Sequence, residues 1–119
     1  MSREQWLKFL DLFSRSHEGW IASVEVSGPD GHKAIEVDQR PFSGISLDEK
    51  RPHNDRIDVA FGSDDNGNHV LHEVPKVTRL ALVSEGSDDL MLQSADGTIT
   101  ILRLLQQRTY TQPRGGKAA

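Results

Sequence analysis

The side chains best suited to hold a metal or move a proton near neutral pH are the five histidines, His17, His32, His53, His69 and His72. His69 and His72 are three apart, a spacing that aligns two ligands on a helix but sends them to opposite faces of a strand. Their surroundings read as strand, so they do not chelate one metal together; solvated or helix-end histidines are the economical reading. Asp64-Asp65-Asn66-Gly67-Asn68 has the composition of a calcium loop but lacks its alternating ligand positions and its closing Glu, and Asp88-Asp89 after Glu85-Gly86 has the same defect. Turn chemistry accounts for both, since Asp and Asn bond their own backbone and Gly takes positive φ.

Nucleophilic catalysis has no local signature. Ser14, Ser23, Ser43 and Ser46 stand in no G-x-S-x-G elbow, and no glycine-rich segment links a strand to a helix as phosphate binding requires. Glu25, Asp58 and Glu73 fall at polar parity on strands, where a solvated face is expected unless folding brings two of them into a cleft. The sequence therefore offers no catalytic residue, metal or cofactor, and any site must be assembled by long-range contacts.

The elements that would assemble it are legible. Ser2 and Gln5 have the spacing of a capping box, and Trp6, Phe9, Leu10 and Phe13 recur at i, i+3, i+4, i+7, predicting an amphipathic helix over about 3–18. Leu7 and Leu12 flank that stripe, and Gly19 sits where a left-handed residue ends a helix, with His17 placed to meet the last carbonyls. Trp6 and Trp20 bracket the helix and are expected to fill core. Strands follow from about 20 to 105. Trp20 to Val26 alternates; Lys33 to Asp38 puts Ile35 and Val37 inward; Pro41 to Leu47 is broken by Pro and Gly and reads as an edge piece. Arg56 to Phe61 and His69 to Val74 come next, then Lys76 to Ser84, whose Leu80-Ala81-Leu82-Val83 is apolar on both faces and predicts a central strand. Asp96-Gly97 between Leu90–Ser94 and Thr98–Leu105 is the strongest hairpin signal.

At 119 residues the chain holds one domain, expected over 1–105, with a flexible basic tail at 106–119. Three of the 14 basic residues and none of the 18 acidic ones lie in that tail, which leaves the body at a formal −7. Such a body repels phosphate backbones, so no nucleic acid is expected. No run is long and apolar enough to span a membrane, no signal peptide is visible, and there is no Cys to form a disulfide or bind zinc; the expected address is cytoplasmic.

Trp6-x-x-Phe9-x-x-x-Phe13-Ser14, His17-Glu18-Gly19-Trp20, Pro41-Phe42-Ser43-Gly44-Ile45, His72-x-x-Pro75 and Ser94-Ala95-Asp96-Gly97 resemble a family of small bacterial proteins catalogued as a domain of unknown function. The resemblance runs from about Trp6 to Leu104. These are residues of packing and turns, and the resemblance implies no catalytic or binding role for any of them.

The fold expected is α+β and β-rich: an N-terminal helix, then a six- to seven-stranded antiparallel meander forming a strongly bent sheet or small barrel. The function expected is a non-catalytic binding or protein-interaction module, as a homodimer or with a protein or peptide partner. Its surface would be the edge-like piece bearing Arg40, Phe42 and Ile45, since unpaired edge backbone templates association. The alternative is a small-ligand-binding barrel or weak hydrolase with a site at one barrel mouth.

Overall fold

The computed structural model describes residues 2–48, 55–62 and 69–106. His53, the Asp64–Asn68 stretch and the tail beyond residue 106 lie outside the described residues. The helix α1 runs Arg3–His17, and the capping box is formed: the Ser2 hydroxyl accepts from the Gln5 backbone while the Gln5 side chain reaches back to Ser2 N. Gly19, one residue past the C-cap, takes φ +86° and stops the helix. Trp6, Leu10 and Phe13 are buried along one face, Phe9 and Leu7 pack beside them, and Leu12 is exposed.

Seven strands follow: β1 Ile21–Ser27, β2 Lys33–Leu47, β3 Ile57–Phe61, β4 Val70–Val74, β5 Val77–Leu82, β6 Leu90–Ser94 and β7 Ile99–Leu105. All pairings are antiparallel, in the order β4-β3-β2-β1-β7-β6-β5. Each strand pairs with its sequence neighbour except β4 with β5, and β1 also pairs with β7. This is one open antiparallel sheet built of two meanders, β1 to β4 and β5 to β7, joined by the β1–β7 pairing, with β4 and β5 at its two edges and the seam between them unpaired. The helix, β1 to β7 and their inward residues share one hydrophobic cluster. Gly97 at φ +93° makes the β6–β7 hairpin turn that Asp96-Gly97 predicted.

Three details differ from the sequence reading, each because a bulge or a long-range pairing overrides local pattern. The Pro41–Ile45 piece is not an edge: it is the middle of a 15-residue interior strand that continues from Lys33. Pro41 falls where the β2 ladder passes from β1 to β3, so its missing N–H costs no ladder bond, and its carbonyl accepts from Gly62 N at 2.7 Å. Gln39 at φ +49° and a bulge between Phe42 and Gly44 bend the strand at the same place.

Ile35 is outward and 64% exposed, because the register jumps from Val24↔Val37 to Glu25↔Ile35 and leaves Glu36 as an extra residue. The third difference is β5, which is an edge strand and pairs only with β6; Leu80 faces the core, whereas Leu82 and Val83 are exposed.

Candidate functional site

Two concavities stand out. The larger, about 460 Å³, is an open cleft between α1 and the outer face of β2, β3 and β4, lined by Leu7, Asp11, Ser14, Gly44, Ser46, Asp58, Ala60 and Leu71. Several of its polar groups are already engaged. The Ser14 hydroxyl shares its one proton between the carbonyls of Leu10 and Ile45, at 2.8 and 3.0 Å, and accepts from Ile45 N at 2.9 Å. Helix α1 thereby supplies the hydrogen bonds that β1 no longer offers to β2 at this point. Asp11 pairs with Arg15 at 3.1 Å, and Asp58 with Arg56 at 2.9 Å. Arg56 also meets Asp48 at 3.1 Å and Glu73 at 3.7 Å, and its guanidinium is held above its usual range chiefly by the hydrogen bond to Asp58.

The second concavity, of about 390 Å³, sits at one mouth of the wrapped sheet, where β4 ends and β5 has not yet begun. Val26, Val74 and Pro75 give it apolar walls; Glu36, His72, Glu73, Lys76, Ser94, Asp96, Thr98 and Thr100 bring polar groups. Each arrives there for a local reason. His72 pairs with the buried Val59 and has the parity of Val70 and Val74, so its ring lies on the inner side of β4. Glu36 is the extra residue of the β2 bulge, and such a bulge re-aims a side chain off strict alternation. Ser94 and Thr100 face inward beside the β6–β7 hairpin, where both are buried. Lys76 takes φ +49° at the corner between β4 and β5.

The electrostatics of this mouth are unlike those of the cleft. Among the described residues no hydrogen bond or ion pair reaches the His72 ring or the Glu36 carboxylate. The Ser94 hydroxyl is fully enclosed and makes no hydrogen bond. Burial lowers the His72 pKa, partly offset by the nearby Glu36 carboxylate. Hydrogen bonds from the Thr98 backbone and side chain hold Asp96 below the usual carboxylate range, with a smaller contribution from Lys76.

The other sequence candidates are structural. The surface expected from Phe42 and Ile45 does not exist on the single chain: Phe42 is 1% and Ile45 4% exposed, packed under α1, with Phe42 edge-on to Phe13 at 6.1 Å. Arg40 is half-buried. His17 is buried against Phe13 and Trp20; its Nδ1 bonds the Phe13 carbonyl at 2.8 Å and its Nε2 the Asp88 carboxylate at 2.9 Å, tying the β5–β6 connection to the helix end. Asp89 accepts from Leu104 N at 3.0 Å, and Glu25 pairs with Arg103 at 3.1 Å. His69 is exposed and His32 pairs with its neighbour Asp30 at 2.7 Å. Among the described residues no three His, Asp or Glu side chains are placed to hold a metal ion.

Sequence reasoning passed over Glu36, Ser94 and Thr100. A Ser just before an Asp-Gly turn reads as turn chemistry, and Ile35-Glu36-Val37 alternates regularly, so the bulge, which depends on the partner strand, leaves no signal in the sequence.

A helix packed on one open, seven-stranded antiparallel sheet, with a polar-lined cavity where β4 passes to β5, is the class that the fold and site define. The chain belongs to the family of unknown function DUF5335, whose family model matches residues 1–113. No curated protein and no solved structure matches it. None of the described helices is long and apolar enough to cross a membrane.

Proposed function

We propose that this chain is a non-catalytic binding protein of the bacterial cytoplasm and that its site is the cavity at the β4–β5 seam. One observation carries the reading: Ser94, the half-buried His72 and the exposed Glu36 line one cavity, and among the described residues no hydrogen bond reaches the Ser94 hydroxyl, the His72 ring or the Glu36 carboxylate. An unpaired buried hydroxyl costs about 1–3 kcal/mol, a cost that serves the fold nothing. A volume of about 390 Å³ lies in the range of small-molecule sites. Ser94 and His72 are not hydrogen-bonded to each other, so no nucleophile and base are paired, and binding is favoured over hydrolysis.

A fragment screen followed by amide chemical shifts on the ¹⁵N-labelled chain tests this. Hits should move Val26, Glu36, His72 to Lys76 and Ser94 to Thr100 together. Hits confined to the cleft under α1, or none at all, would refute the proposal.

A second reading has an observation of its own. The outer face of the sheet carries a row of cross-strand neighbours, Ile35, Glu25, Ile101, Met91 and Ala81, in which only Glu25 is charged. The Glu25–Arg103 pair lies beside it, and a second copy turned about a two-fold axis would exchange that pair while covering the apolar row. Light scattering over a concentration series, with an Ile101→Lys variant beside the wild type, reads this out: a concentration-dependent dimer that the variant abolishes supports it, and a monomer at every concentration removes it.

A further inference from the structure

We infer that the seam cavity is selective for a small aliphatic primary amine, with the ammonium group at Glu36 and His72 and the carbon chain on Val26, Val74 and Pro75. The inference rests on the ligand-binding reading above and adds the chemical class of the ligand. It starts from how the charges around the cavity are matched. Three carboxylates line it, Glu36, Glu73 and Asp96. Glu73 has the Arg56 guanidinium at 3.7 Å, and Asp96 has Lys76 beside it together with the Thr98 hydrogen bonds. Among the described residues Glu36 has no cationic partner, and its carboxylate is close enough to His72 to act on the ring. The mouth is thus left with one uncompensated negative charge next to a ring that burial keeps in its neutral form.

Those two groups define what fits. A carboxylate only accepts, and a neutral imidazole carries one accepting nitrogen. Both are satisfied together by an ammonium group, which donates three hydrogen bonds and brings the missing positive charge. A carboxylate ligand would meet like charge from Glu36, Glu73 and Asp96, and an alcohol would leave the charge on Glu36 unmatched. The surroundings also set a pH dependence. Protonating His72 puts a resident cation beside Glu36 in competition with the ligand; the other ionisable groups that line the cavity are Glu73, Asp96 and Lys76. Amine affinity therefore falls as the pH drops through the lowered titration range of His72.

Three ligands of equal length, butylamine, butanol and butyrate, titrated into the full ¹⁵N-labelled chain at neutral pH, test the selectivity. Butylamine should shift the amides around Glu36, His72 and Ser94 at least about tenfold more tightly than butanol, the scale of a hydrogen bond to a charged group, and butyrate should not bind there. A Glu36→Gln variant should weaken butylamine by about tenfold and leave butanol unchanged. If butanol or butyrate shifts the same amides as tightly as butylamine, or if Glu36→Gln leaves butylamine unaffected, the amine assignment falls while the cavity remains a binding site. If none of the three moves those amides, both fall.

Discussion

The two sides of β2 treat polar groups in opposite ways. Where β1 stops pairing with its C-terminal half, α1 takes over: the Ser14 hydroxyl closes on both the N–H and the C=O of Ile45, and the helix buries Trp6, Leu10 and Phe13 against Phe42. At its N-terminal half, the exposed Glu36 of the bulge lines the seam cavity with His72 and Ser94, and among the described residues no hydrogen bond reaches any of the three side chains. The first region is built the way a fold is stabilised and the second the way a site is kept ready, since a polar group paired inside the protein is spent and an unpaired one is available. The larger cleft under the helix illustrates the point. It has the greater volume, but its Ser14, Asp11 and Asp58 are engaged with the protein itself.

The sharpest way to strain this contrast is at the helix interface. Phe13→Ala and Phe42→Ala should each lower the unfolding free energy by about 3–5 kcal/mol, the cost of emptying a fully packed aromatic position. Urea denaturation measures it, and a loss near 1 kcal/mol at both would mean that the helix is peripheral. Ser14→Ala leaves two backbone groups of Ile45 unpaired and should cost about 1–3 kcal/mol, with faster amide exchange at Ile45 as its local signature. Ile45→Lys, at a buried position, should disrupt folding rather than association; a stably folded Ile45→Lys variant would contradict the packing described here.

A smaller effect is expected from pH. The folded chain holds the His72 pKa below its unfolded value, so above that unfolded value, about 6.5, the ring is neutral in both states and contributes nothing to the pH dependence. As the pH falls below it, the unfolded chain takes up a proton that the folded one resists, and stability is lost until the lowered value is passed. A His72→Gln variant should lack that component, which the difference between its stability profile and that of the wild type between pH 7 and pH 5 would reveal; parallel profiles would show that His72 is not desolvated.

How much of this was legible beforehand follows the range of the interactions. The helix, its cap and the β6–β7 hairpin are encoded within a few residues, in Ser2 with Gln5, in the Trp6 to Phe13 stripe and in Asp96-Gly97, and the sequence identified all of them. The interior position of Pro41 was misread because Pro and Gly mark an edge and a bend with the same letters; only the pairing with β1 and β3 tells them apart. The site was invisible for the same reason. His72 and Glu36 are separated by most of two strands, Ser94 by two more, and they meet because β1 pairs with β7 while β4 and β5 stay apart.

The claim that the seam groups are held for a ligand and not for the fold is open to one direct measurement, urea unfolding of the triple variant Glu36→Gln, His72→Leu, Ser94→Ala. Because those side chains have no partners to lose, the variant should be at least as stable as the wild type, in contrast to Ser14→Ala. A loss of about 1 kcal/mol or more, the worth of an ordinary intramolecular hydrogen bond, would show that these groups support the structure and would contradict the account.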